Sequence, residues 1–147
     1  MNEHAIGIEA IKNPENIREA VYASSPRVLR MVFDNDPIVR RLIGAGQKII
    51  PLIERELEDN RLNLHEITLA CYAYILQKVD EESARRILTP HFLWAMEKPG
   101  VFFVHFAATP LRKGTNLEKK PLGVTLTLDE LNATLKLIDR KNRSVEG

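Results

Sequence analysis

Cysteine is almost missing from this 147-residue chain. Cys71 stands alone, so no disulfide and no cysteine-based metal cluster can form within one chain, a usage that fits a reducing cytoplasm. Long apolar runs are missing too. The longest, Leu69 to Leu76, is eight residues, against the ~20 that span a bilayer, so no membrane partner is expected. The first residues, MNEHAIGIEA, mix Glu3, His4 and Glu9 with apolar side chains and lack the positive region and apolar stretch of a signal peptide. The expectation is a cytoplasmic protein.

An excess of charge of one sign is also absent. The net charge is +1, which speaks against a chain built mainly to adhere to nucleic acid or acidic lipid. Residues 1–100 carry 13 basic and 15 acidic groups and residues 101–147 carry 8 and 5, so the C-terminal third is mildly basic. Scattered Lys and Arg on helix surfaces account for that without a partner.

Catalytic and cofactor signatures are lacking as well. No phosphate-binding glycine loop occurs, and Gly44-Ala45-Gly46 alone is a turn signal. The four histidines, His4, His65, His91 and His105, show no metal-ligand spacing and no Cys or carboxylate cluster beside them. His105, between Val104 and Phe106, reads as a hydrogen-bonded core histidine, and His91 as a residue at a helix bend. Cys71 lies in the most apolar segment, where burial raises a thiol pKa and makes it inert. Glu54 with Glu58, and Glu81 with Glu82, have the spacing of solvated helix surfaces. No cofactor, metal or catalytic residue is expected, and the chain reads as a non-enzyme.

What is present is helix punctuation. Asn13-Pro14, Ser25-Pro26 and Asp36-Pro37 each pair a good N-cap with a proline at the first helical position, where its missing N–H costs nothing. They predict helices over 14–23, 26–33 and from Pro37 to about Ile43. Ile49, Ile53 and Leu57, four residues apart and opposed by Glu54, Arg55, Glu58 and Asp59, predict an amphipathic helix over 47–59.

Asn63 with Glu66 matches a capping-box spacing at the start of 64–79, a segment apolar all round and therefore placed at the centre of the domain. Asp80 caps the next helix, with Ala84, Ile87 and Leu88 turned inward, and Pro90 ends or bends it before a second piece from His91 to Lys98. For 101–108, the aromatic and β-branched start suggests a buried strand and the Ala-Ala end a helix; the helix is preferred. A loop is expected over Thr109 to Gly123, with a small extended segment near 101–126 left open. Thr127-Leu128-Asp129-Glu130 is a capping box, and Leu128, Leu131, Leu135 and Ile138 predict a last amphipathic helix to about Arg140.

Residues 37–59, PIVRRLIGAGQKIIPLIERELED, resemble a HEAT-type (armadillo-like) helical repeat at Val39, Leu42, Ile43, Gly46, Ile49, Pro51, Leu52, Ile53 and Leu57. The stretch 64–97 looks like a second hairpin of the same kind, without the glycine turn and with its proline moved to Pro90. The resemblance implies a mainly α fold, a short right-handed α-α superhelix of stacked helical hairpins. Residues 1–147 would form one domain, with 14–33 as N-terminal cap helices, 37–97 as the two hairpins and 101–141 as the C-terminal cap.

What such a family implies functionally is an interaction surface, usually lined by the second helix of each pair. Arg55, Arg85 and Arg86 would share it if the hairpins stack in parallel; otherwise they are ordinary surface arginines. Trp94, the single tryptophan, is a candidate anchor or a core residue. The expected function is a protein-binding module of adaptor, regulatory or toxin-neutralising type, its partner unidentified. The alternative is a nucleic-acid-binding repeat using Arg40, Arg41, Lys48, Arg85, Arg86 and the basic tail.

Overall fold

Four caps foreseen from local spacing hold in the computed structural model, which describes residues 3–17, 19–95, 102–112, 132–134 and 136. Ser25 Oγ accepts from Val28 N at 3.2 Å and starts α2, Pro26–Asn35. Asp36 Oδ1 accepts from Ile38 N at 2.9 Å and Val39 N at 3.0 Å and starts α3, Pro37–Gly44, from a buried position. Asp80 starts α6, Glu81–Ala95, accepting from Glu82 N and the Ser83 hydroxyl. Asn13 caps as expected, accepting from Glu15 N, but the segment it opens is a single 3-10 turn, Pro14–Asn16.

The predicted helix over 14–23 is therefore corrected to two 3-10 turns, the second at Ala20–Tyr22, with Ile17 and Ala20 buried between the surrounding helices. An unforeseen helix, α1 at Glu3–Ile11, precedes them. It lies close against α3 because Gly7 has no side chain: a Cβ there would stand 2.9 Å from Leu42 Cδ2.

Gly46, at a φ of 66°, turns the chain after α3 into a 3-10 turn and then α4, Ile50–Asn60, where Pro51 occupies the first turn without cost. Of the predicted stripe, Ile53 and Leu57 are buried from α4 together with Ile50, and Ile49 is buried from the 3-10 turn before it. The central helix is α5, Glu66–Val79, in which every residue from Ile67 to Leu76 is buried. It packs against α2, α3, α4, α6 and α7, the last at Phe102–Arg112. Phe33 of α2, Tyr74 of α5 and Phe106 of α7 meet with ring centroids 5.4 to 6.2 Å apart. His105 is buried beside Phe106, as expected of a core histidine.

Other boundaries differ from the local reading. His65, not Asn63, caps α5, its Nδ1 accepting from Ile67 N at 3.0 Å. Glu66 instead reaches the first described residue of α7, accepting from Phe102 N at 2.6 Å, where a carboxylate suits a helix N-terminus. Pro90 does not divide α6, and His91 sits buried within the continuous helix. The expected loop from Thr109 instead continues α7 through Pro110 to Arg112. In both helices the threonine before the proline donates to the carbonyl four residues back, Thr89 to Arg85 at 2.7 Å and Thr109 to His105 at 3.1 Å.

The helix preferred for 101–108 is present from Phe102 onward. Among the described residues there is no strand, and the mainly α class is established. The stacked superhelix is not: α5 has helices on several sides, whereas a simple row of repeats gives each unit only its neighbours. The capping box at Thr127, the turn at 98–100 and most of the final amphipathic helix lie outside the described residues.

Candidate functional site

Among the described residues, two surfaces carry more than scattered polar side chains. The first lies between α4 and α6. Glu54 and Glu58, four apart on α4, face Arg86, Ile87, Pro90 and His91 on α6, and Arg61 closes the end from the turn after α4, leaving a cleft of about 320 Å³. Arg61 Nη1 lies 2.9 Å from His91 Nδ1. A guanidinium only donates, so Nδ1 accepts and a neutral ring carries its proton on Nε2. Burial, with Arg61 beside it, pushes the His91 pKa down to about 4. The Arg61 guanidinium carbon also sits 4.7 Å from the centroid of the Trp94 ring, a cation–π contact. Arg86 Nη1 pairs with Glu54 Oε1 at 3.2 Å.

Two guanidinium groups and two carboxylates balance here, so the cleft has no large field of either sign. His91 is committed to Arg61 and Glu54 to Arg86, and among the described residues no Ser, Thr or Cys lines the cleft. Cys71 lies elsewhere, fully buried in α5, its thiol pKa pushed well above the ordinary value by burial and by the Asp36 charge.

The sequence-predicted site residues divide on this surface. Arg86 and the half-buried Trp94 belong to the α4–α6 side. Arg85, one residue and about 100° further round the helix, turns to α7, where Nε donates to the Pro110 carbonyl at 3.3 Å and Nη1 pairs with Glu82. Arg55 is exposed on α4, next to the residue that holds Arg86. The three arginines thus form no common basic face. Sequence reasoning missed Arg61 and His91, whose link depends on the packing of α4 against α6.

The second surface is apolar and was not foreseen. α2 carries two stripes. Pro26, Leu29 and Phe33 are buried, whereas Val28 and Met31 stand exposed on the outer side, 40% and 59%, with Val32 half-buried against the core beside them. Pro37 and Ile38 at the start of α3 supply the facing wall, and Asn16, Glu19, Asn35 and Asp36 complete a groove of about 810 Å³. Glu19 holds a left-handed backbone at a φ of 67°, uncommon for a residue with a side chain. Val21 and Tyr22 are exposed on the turn just before α2. The signal was in the sequence as the spacing of three and four in Val28, Met31 and Val32, but local pattern does not say which of two stripes faces the core.

Among the described residues no three His, Cys, Asp or Glu side chains gather as a metal site requires, and no helix is long and apolar enough to cross a membrane. No protein-family model, curated protein or solved structure matches this chain, so its function must be read from these surfaces.

Proposed function

We propose that this chain is a non-enzymatic protein-interaction module, of adaptor, regulatory or toxin-neutralising type, acting in the cytoplasm, and that the groove between α2 and α3 is its contact face. One observation carries the reading: Val28 and Met31 stand exposed on the outer stripe of a helix whose other stripe already fills the core. Apolar side chains grouped at helical spacing beside a concave wall are what a protein partner covers. The resemblance of residues 37–97 to a HEAT-type repeat supports the same class, since such domains serve as scaffolds for partners. The α4–α6 cleft, with Arg86 and Trp94 already engaged, contributes less to this reading.

The test is site-specific photo-cross-linking in cells, with a benzoyl-phenylalanine at position 31 and a control at position 55. A defined heteromeric adduct from position 31, absent from position 55, is expected. No adduct from position 31, or equal adducts from both positions, overturns the proposal.

A nucleic-acid-binding role is the second reading. It rests on Arg40, Arg41 and Lys48, exposed on α3 and the turn after it. Phosphate-dominated binding falls steeply with salt. Failure to retain duplex or single strands at low salt removes it.

A further inference from the structure

We propose that the cleft between α4 and α6 binds a free α-amino acid, its carboxylate on Arg61 and His91, its ammonium on Glu58 and its side chain against Ile87 and Pro90. This is a second site, and it does not depend on the groove between α2 and α3.

The carboxylate end follows from Arg61. This half-buried guanidinium has no carboxylate partner among the described residues. Two uncharged groups hold it instead: Nη1 donates to His91 Nδ1 at 2.9 Å, and the guanidinium carbon lies 4.7 Å from the centroid of the Trp94 ring. Nη2 and Nε keep their donors. A planar fork fixed by a hydrogen bond at one corner and by a ring against one face is preorganised for a carboxylate, which it can hold through two parallel bonds. His91 supplies a further donor. Its Nδ1 is taken as an acceptor, so the neutral ring carries an N–H on Nε2, and this buried residue lines the cleft.

The ammonium end follows from Glu58. It stands exposed three residues before Arg61, lines the same cleft and pairs with no cation among the described residues. Glu54, by contrast, is tied to Arg86 at 3.2 Å. A ligand with negative charge alone would meet both glutamates, and one with positive charge alone would meet both arginines. A molecule that carries the two charges a short distance apart complements the cleft.

Size and lining set the rest. About 320 Å³ lies at the small end of the roughly 300–1,000 Å³ typical of small-molecule sites, enough for one compact ligand and too little for a partner helix. Ile87 and Pro90 form an apolar wall, which suits an apolar side chain.

The experiment titrates the full chain by calorimetry with L-leucine and two matched fragments. 4-Methylpentanoate lacks the amine, and 3-methylbutylamine lacks the carboxylate. L-Leucine should bind saturably, and each fragment at least several-fold more weakly. Trp94 is the single tryptophan and lies against Arg61, so its fluorescence should change with the same saturation curve. Arg61→Met keeps an apolar stem against Trp94 and should weaken L-leucine about tenfold or more. Glu58→Gln should weaken L-leucine several-fold and leave 4-methylpentanoate no weaker. Arg55→Gln removes an exposed cation of α4 that does not line the cleft, and should change nothing. Glu58 is exposed, so its variant should keep the fold, and circular dichroism checks both cleft variants.

Four results overturn the proposal: no saturable binding of L-leucine, a fragment that binds as tightly, saturation without a change at Trp94, or a folded Glu58→Gln chain that binds L-leucine like the parent.

Discussion

Thr68 ends a helix that lies 57 residues before it: its Oγ1 donates to the carbonyl of Ile11 at 2.8 Å, in a buried contact between α5 and the last residue of α1. Four residues further along α5, on the same face, the Tyr72 hydroxyl donates to the Ile8 carbonyl at 3.1 Å. The carbonyls of Glu9 and Ala10 are taken by Lys12 N and Asn13 N. The four carbonyls that a helix end leaves without partners are thus all satisfied, two of them by the central helix. Thr68→Val should keep the packing and leave the Ile11 carbonyl buried without its donor, a loss of about 1–3 kcal/mol. Urea unfolding measures the loss, and faster amide exchange confined to α1 would show where it falls.

Gly46 and Gly44 should respond in opposite directions to the same change. A Cβ at either position meets nothing within 4 Å, so space does not decide the outcome. Gly46 holds a φ of 66°, where alanine is strained, and Gly46→Ala should cost about 1–2 kcal/mol. Gly44, the last residue of α3, has no such backbone, and Gly44→Ala should be neutral or stabilise by up to about 1 kcal/mol. Thermal melts of the two variants side by side check the sign.

Acid should loosen the α4–α6 side. His91 has its pKa lowered to about 4 in the fold, against 6.5 for an ordinary histidine. Between those values the unfolded chain binds the extra proton and the native chain does not. Stability from this group is therefore fully present above pH 6.5 and is lost as the pH falls toward 4. Protonation would also set a second cation against Arg61, 2.9 Å away, and disturb the Arg61–Trp94 contact. A melting temperature that falls through this window, with a smaller slope in His91→Gln, is the expected result. Ring proton shifts by NMR should give the low midpoint, and a midpoint near 6.5 would contradict the contact with Arg61.

The neighbours Arg85 and Arg86 should not be equivalent. Arg86 is 61% exposed and pairs with Glu54 at the surface, so Arg86→Ala should change stability by less than about 1 kcal/mol and the change should shrink with salt. Arg85 is half-buried and donates to the Pro110 carbonyl near the end of α7, so Arg85→Ala should cost about 1–2 kcal/mol and resist salt. Equal losses in both variants would mean that α6 meets α7 differently.

The amino-acid sequence by itself determined the starts of α2, α3 and α6, because a cap acts within two or three residues: Ser25 on Val28, Asp36 on Ile38 and Val39, Asp80 on Glu82 and Ser83. It also determined that α5 lies at the centre, since a helix apolar all round has to be covered. Tertiary structure decided what depends on distant partners. Glu66 serves α7 and not its own helix, because the first turn of α7 comes to it in space. α1 has a defined end because α5 supplies two donors. Which stripe of α2 is core was settled by Phe33 meeting Tyr74 and Phe106. That same packing left Val28 and Met31 outside, so the groove exists only once the helices are assembled.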